Sequence, residues 1–368
     1  MSHDLRLTSF EVVAYRAIRR LHIPELGRVN LFVGRNNVGK TSLLEALQLY
    51  LRRHSQLLPA LALTLVREHA DFRPALLSLH EGDFDAGELQ SAVDAVNGLF
   101  FGSFDDEHDR SIRLASRNSS DDLTIERVWS SGGSSDSGGK SRSASVLVDP
   151  MAPILVLRTG RSTTEFPLEW VIRRFPLTEV KERAQTLFVP ANGVEPYFTR
   201  NLWDQIVLAG DHELVESALR SIIPDLERIV VVGEARARTV LCKLAGTTHP
   251  VPIMSMGDGA NRIFGLAVSL VQSRGGALLI DEVENGLHYS VQPEVWDFLL
   301  SAAEDLDVQV FATTHSWDSV VAFQEAANRS PAEGMLYRLE REPGGAIYVE
   351  RYNEKDLAIA AEQQVEVR

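Results

Sequence analysis

The hydrophobic period of this chain changes abruptly at one octet, Gly34-Arg35-Asn36-Asn37-Val38-Gly39-Lys40-Thr41. Before it stands a short apolar run, Val29 to Val33; after it, Leu43, Leu44, Leu47 and Leu51 recur at helical spacing. Strand, glycine-rich loop and helix thus follow one another directly, which is the context that gives meaning to a match to G-x-x-x-x-G-K-[ST]. The glycines let the backbone curl so that its N–H groups and the helix N-terminus face a phosphate. Lys40 is then expected to reach the β and γ oxygens of a nucleotide, and the Thr41 hydroxyl to ligate magnesium, with Arg35, Asn36, Asn37, Val38 and Ser42 completing the loop.

An acidic pair complements the phosphate loop. Ala277 to Ile280 is wholly apolar and ends in Asp281-Glu282, as expected when a buried parallel strand delivers carboxylates to the C-terminal edge of a sheet. Asp281 is expected to hold the metal and Glu282 to polarise an attacking water, because phosphoryl transfer needs positioned charge. Ser255-Met256-Gly257-Asp258-Gly259 precedes an apolar helical run, Ile263 to Val271, and offers Ser255, Gly257 and Gly259 as a second anion-binding surface. Thr313-Thr314-His315-Ser316 follows the apolar Val308 to Ala312, so His315 too is expected at a strand's C-terminal end, contacting a γ-phosphate or holding the attacking water.

Composition narrows the rest. Hydrophobic residues make up 44% and charged ones 24%, ordinary globular values, and no apolar stretch is long enough to span a bilayer. Met1 to Phe10 has no secretory h-region, and the single cysteine, Cys242, forms neither an intrachain disulfide nor a cysteine-cluster metal site, so a cytoplasmic protein with no membrane partner is expected. A net charge of -14 opposes strong non-specific attraction to nucleic acid, while a local basic face leaves a nucleic-acid partner open.

Along the chain, Leu5 to Phe10 and Ile18 to Ile23 have strand composition. His54 to Ala70 is of helical type with Pro59 as a break, and acidic segments such as Glu81 to Gly87 follow. Ile112 to Leu114, Leu123 to Trp129, Ser145 to Val148 and Ile154 to Leu157 alternate as antiparallel strands do, interrupted by Ser130 to Ser143, which has no apolar residue and is expected to be a mobile loop. Asp211 to Ile223 has helical character; Arg228 to Val232 and Thr239 to Leu244 have that of strands. The expected organisation is a first lobe with the phosphate loop over residues 1–53, an inserted helical lid with an antiparallel β segment over 54–180 (130–143 flexible), and a C-terminal lobe over 181–368.

In this order and spacing, the motifs resemble those of ABC-type ATPases of the SMC and recombination-repair group, and more narrowly the ATPase of the OLD (overcoming lysogenization defect) family. The narrower resemblance rests on Tyr15-Arg16 ahead of the phosphate loop, on Ser255 to Gly259 as a degenerate signature, on Glu284-Asn285-Gly286-Leu287-His288 as a D-loop, and on His315. It implies an α/β fold: a P-loop NTPase with a mixed, largely parallel sheet core, an antiparallel β lobe and an inserted helical lid. It also implies ATP and Mg2+ as cofactors and a nucleotide sandwich between at least two copies, in which Ser255 and Gly257 of one close on ATP held by Lys40 of the other and Asn285 bridges the two sites.

OLD proteins continue into a Toprim nuclease, whereas only 53 residues follow His315, so the resemblance is to the stand-alone AAA ATPase half of a split anti-phage system with a separate Toprim-like effector. No Q-loop glutamine is assigned, Gln48 and Gln56 lying on and just beyond the first helix. Arg16 and Arg35 could contact nucleotide or partner, or form surface salt bridges. A transporter motor is disfavoured: the stretch from Lys40 to Asp281 is about twice as long as in a transporter cassette, and S-M-G-D-G stands in place of L-S-G-G-Q. A slow ATP-dependent binding switch with little turnover remains the alternative.

Overall fold

The computed structural model describes residues 5–68, 86–102, 111–117, 119, 121–129, 153–160, 162–167, 186–194, 196–233, 238–342 and 346–352. The loop expected over Ser130 to Ser143, the strand expected over Ser145 to Val148 and the acidic residues 81–85 lie outside them.

The chain divides into two compact units, one of residues 1–9, 22–44 and 183–368, the other of 10–21 and 45–182. The first is built on a six-stranded sheet. Its strands are β3 (Val29–Val33), β8 (Thr186–Val189), β12 (Ala277–Ile280), β13 (Gln309–Thr314), β14 (Gly334–Arg341) and β15 (Ile347–Tyr352). In space they run β15-β14-β3-β13-β12-β8. All neighbours are parallel except the β14–β15 hairpin. Consequently β8, β12, β13 and β3 release the chain at one edge, after Val189, Ile280, Thr314 and Val33.

Every residue of β3, β12 and β13 is buried, as expected when both faces of a parallel sheet are covered. Side chains such as Leu278, Leu279 and Ile280, all fully buried, each contribute roughly 2 kcal/mol by leaving water. The buried polar residues among them are satisfied. Asn30 Nδ2 donates to the carbonyls of Gly27 and Val310, and Gln309 Nε2 donates to those of Leu7 and Gly27.

The helices of this unit are α1 (Lys40–Leu51, whose C-terminal part passes into the second unit), α4 (Pro196–Ala209), α5 (His212–Arg220), α6 (Asp258–Gln272), α7 (Gln292–Asp305) and α8 (Trp317–Arg329). Trp203 of α4 packs on Phe264 of α6, and Trp296 of α7 meets Phe323 of α8 edge-on with centroids 4.9 Å apart. A separate three-stranded sheet, β11-β10-β9, is formed by β9 (Leu226–Val232), β10 (Thr239–Leu244) and β11 (Val251–Pro252).

The second unit centres on an antiparallel sheet of order β2-β1-β4-β5-β6-β7, from β1 (Phe10–Tyr15), β2 (Ile18–Ile23), β4 (Ser111–Ala115), β5 (Leu123–Trp129), β6 (Pro153–Thr159) and β7 (Ser162–Pro167). It also holds α2 (Leu58–Glu68) and α3 (Ala86–Asn97).

Two local expectations need correction. The first strand is Phe10–Tyr15 and not Leu5 to Phe10, because Glu11, Val12 and Val13 find their partners on β4. Pro59 does not break a helix; it lies in the first turn of α2, where its missing N–H would have had no partner in any case. Among the described residues no helix is long and apolar enough to cross a membrane.

Candidate functional site

At the edge where the parallel strands end, the loop after β3 turns back on itself. Gly34 has φ +149°, and a Cβ there would come within 2.6 Å of the Leu339 carbonyl oxygen, so only glycine fits between the loop and β14. Gly39 at φ +99° and Asn37 at φ 63° complete the curl, after which Leu43 N donates to Gly39 O and the helix begins. Lys40 reaches back over the loop, its Nζ donating to the carbonyls of Gly34 at 2.7 Å and Arg35 at 3.1 Å. Burial lowers the Lys40 ammonium below its ordinary pKa, while Glu282, Asp281 and Glu284 oppose that shift and hold its charge. Arg35, Asn36 and Asn37 are exposed, Val38 is buried and Ser42 is half-buried in the first turn of α1.

Beside this loop stands the end of β12. Asp281 accepts from Thr41 Oγ1 at 2.9 Å on one carboxylate oxygen and from Thr313 Oγ1 at 2.6 Å on the other. Thr313 accepts in turn from the Glu282 backbone N–H at 2.9 Å. Glu282 has φ 47°, a left-handed conformation that costs a non-glycine residue about 1–3 kcal/mol and persists only where its surroundings enforce it. The enforcement is visible. Arg262 of α6 places Nη2 at 3.0 Å from both the Asp281 and Glu282 carbonyls, and Nη1 at 2.8 Å from that of Pro190. Burial depresses the Arg262 pKa, against the pull of Glu284, Asp281 and Glu282.

Further along the same turn, Asn285 Nδ2 donates to Glu282 Oε2 at 2.6 Å and to the Ala191 carbonyl at 3.3 Å. His315, at the end of β13, places Nδ1 at 3.0 Å from Glu284 Oε1 and 3.8 Å from Glu282 Oε1. The structure thus brings Lys40, Thr41, Asp281, Glu282, Asn285 and His315 to one sheet edge. Ser255 and Gly257 form a different group. They are exposed, in a short 3-10 turn (Ile253–Met256) and at the N-cap of α6, with Gly257 at φ +92°. Gly259 abuts the carbonyl of Gly286, where a Cβ would come within 3.3 Å. No hydrogen bond among the described residues ties Ser255, Gly257 or Gly259 to residues 34–42.

Sequence reasoning gave no role to Arg262 or Thr313, and did not find the contact of Glu284 with His315 or a pocket of about 500 Å3 between Arg35 to Val38 and Arg338 to Arg341. Arg16 is engaged within the second unit, where it pairs with Glu45, both side chains being less than a tenth exposed, so a surface salt bridge is not the description of it. Gln48 is buried on α1 and Gln56 is exposed.

The sequence profile of the family described as "AAA domain, putative AbiEii toxin, Type IV TA system" matches residues 29–322. No curated protein matches the chain. Among solved structures, an SMC head bound to the C-winged helix domain of ScpA is 11% identical, with a TM-score of 0.48 over 94% of this chain and 97% of that one. The SMC head domain from Thermotoga maritima is 13% identical, with a TM-score of 0.42 over 95% and 100%. An SMC head with an extended coiled coil from Pyrococcus furiosus, bound to the C-terminal domain of ScpA, is 10% identical, with a TM-score of 0.47 over 97% and 99%.

Proposed function

The chain belongs to the AAA-domain family described as putative AbiEii toxin of type IV TA systems, and on that premise we propose that it binds Mg-ATP at residues 34–42 and hydrolyses it with Glu282 and His315. The observation that carries this reading is the 2.9 Å bond from Thr41 Oγ1 to Asp281 Oδ2, made beside a lysine whose ammonium rests on loop carbonyls.

A hydroxyl and a carboxylate are hard oxygen donors, and two protein ligands suit magnesium, which dehydrates reluctantly and keeps several waters. Bound there, the ion would neutralise charge on the β and γ phosphates. Lys40 exchanges the Gly34 and Arg35 carbonyls for phosphate oxygens, a stronger charge-assisted partnership. The loop N–H groups bind the same oxygens, and Glu282 accepts a hydrogen bond from the attacking water so that its lone pair faces phosphorus.

Ser255 and Gly257, exposed at a helix N-terminus, are suited to close on the nucleotide of a second copy, with Asn285 at the junction. The resemblance of the motifs to the OLD-family ATPase supports a finer reading in the same direction. In it, an ATP-dependent dimer serves as sensor and scaffold for a separate nuclease or toxin effector, Toprim-like as in the OLD resemblance, in phage defence or DNA maintenance.

The bond from Asn285 to Glu282 favours a second reading, in which the glutamate is restrained until assembly frees it and the chain works as a slow ATP-dependent switch. Steady-state phosphate release, with and without DNA, tests both. Turnover abolished by Glu282→Gln supports the ATPase; tight ATP binding with no release under any condition supports the switch; no ATP binding at all refutes both.

A further inference from the structure

Position alone gives His315 two possible roles, donor to the terminal phosphate or acceptor from the attacking water, and its contact with Glu284 distinguishes them. We propose that Glu284 is a positioning residue that fixes His315 in its Nδ1–H tautomer, so that the neutral ring offers Nε2 as a hydrogen-bond acceptor to the attacking water. This rests on the ATPase reading given above.

Glu284 Oε1 receives the His315 backbone N–H at 2.9 Å and faces the same residue's ring Nδ1 at 3.0 Å. An ionised carboxylate only accepts, so the nitrogen facing it must carry the proton. The hydrogen bond made by one ring nitrogen sets the state of the other. Glu282 Oε1, 3.8 Å from the same Nδ1, adds to the preference.

Glu284 is 8% exposed, and its second oxygen, Oε2, is buried with no hydrogen-bond partner. A carboxylate so far removed from water depends on the few donors it has, which makes the imidazole contact costly to lose. The opposite nitrogen is differently placed. The His315 side chain is 45% exposed, and Nε2 has no partner among the described residues. In the Nδ1–H form its lone pair repels phosphate oxygens and accepts an O–H from water. The donor role is thereby assigned away from neutral His315, leaving Lys40 and the loop N–H groups to hold the phosphate.

The test uses the nucleotide-free full chain labelled with 15N-histidine, at a pH about two units above the ordinary imidazole pKa of ~6.5. Long-range 1H–15N correlation reports the tautomer, with the His315 signal assigned by its loss in His315→Asn. The expected result is Nδ1–H in the wild type and a shift toward Nε2–H in Glu284→Gln, whose neutral amide is a weaker acceptor and can itself donate. The same variant should lower kcat by about 10–100-fold with an unchanged KM for ATP, the range found when a supporting hydrogen bond behind an active group is removed.

An Nε2–H wild type, an unchanged tautomer in Glu284→Gln, or a shifted tautomer with unaltered kcat would each overturn the proposal. Failure of the ATPase reading itself would be seen separately, as absence of phosphate release from a wild type whose tautomer is as expected.

Discussion

The Thr41 hydroxyl, at the start of α1, donates to the Asp281 carboxylate, at the end of β12, across 240 positions of sequence, with Oγ1 and Oδ2 2.9 Å apart. Parallel pairing makes this contact possible. β13 lies between β3 and β12 and pairs with both, in a register that sets Val33 opposite Thr314 and Ile280 opposite Ala312. The two chain segments therefore emerge at the same edge of the sheet on either side of β13, the end of β3 two residues beyond that of β12, and Thr313 from the strand between them holds the other oxygen of Asp281.

Lys40→Ala removes the side chain that reaches back over the Gly34 and Arg35 carbonyls. ATP affinity should fall at least ~100-fold, as expected when a charge-assisted contact worth about 3 kcal/mol is lost. Calorimetric titration with Mg-ATP measures this, and a variant that still bound tightly would contradict the assignment of the loop.

Asp281→Asn and Glu282→Gln should separate binding from chemistry. The first neutralises the carboxylate that Thr41 and Thr313 share, so the magnesium dependence of ATP binding should weaken. The second should leave binding near the wild-type level while reducing turnover by about 10²–10⁴-fold, the usual contribution of a general base. Measured kcat and Kd with and without magnesium distinguish the two patterns.

The strand–loop–helix at Val33 to Lys40 and the acids after Ile280 were legible because period, glycine spacing and charge are local properties of sequence. Arg262 was not. It stands on a helix whose apolar period is unremarkable, and its partners are backbone carbonyls of Pro190, Asp281 and Glu282, which no side-chain pattern announces. Glu284 was visible only as part of a turn following the acids, because its contact with His315 depends on the pairing of β12 with β13. For the same reason β1 could not be paired with β4 from sequence, since the partner lies about a hundred residues away.

Arg262→Met should destabilise the protein by about 2–4 kcal/mol, because three carbonyls lose charged donors in a buried place. Arg262→Lys should recover only part of this, a single ammonium being unable to span all three. Urea midpoints with an unchanged slope provide the check. Turnover should fall as well, since the left-handed backbone at Glu282 loses its main restraint.

Ser255→Arg should leave ATP binding by the monomer intact and abolish ATP-dependent dimerisation, because Ser255 is exposed and has no bond to residues 34–42 of its own chain. Light scattering of this variant in a Glu282→Gln background, with and without Mg-ATP, is the measurement. A dimer equal to that of the parent would remove Ser255 from the interface.

Cys242 is fully buried on β10, and burial lifts its thiol to about 11 from an ordinary 9.0. Because the folded value is raised, the stabilisation tied to the protonated thiol is complete below pH 9 and is lost as pH rises toward 11. A thiol reagent at pH 8 should leave the native protein unmodified and react with one equivalent on unfolding. Rapid reaction of the native protein would place the residue elsewhere.

The most direct test is a structure of the complex with magnesium and a non-hydrolysable ATP analogue. The account predicts the metal at about 2.1 Å from Thr41 Oγ1 and held by Asp281 directly or through one water, with the terminal phosphate in contact with Lys40 Nζ. A nucleotide seated away from residues 34–42, or a metal remote from Asp281, would contradict it.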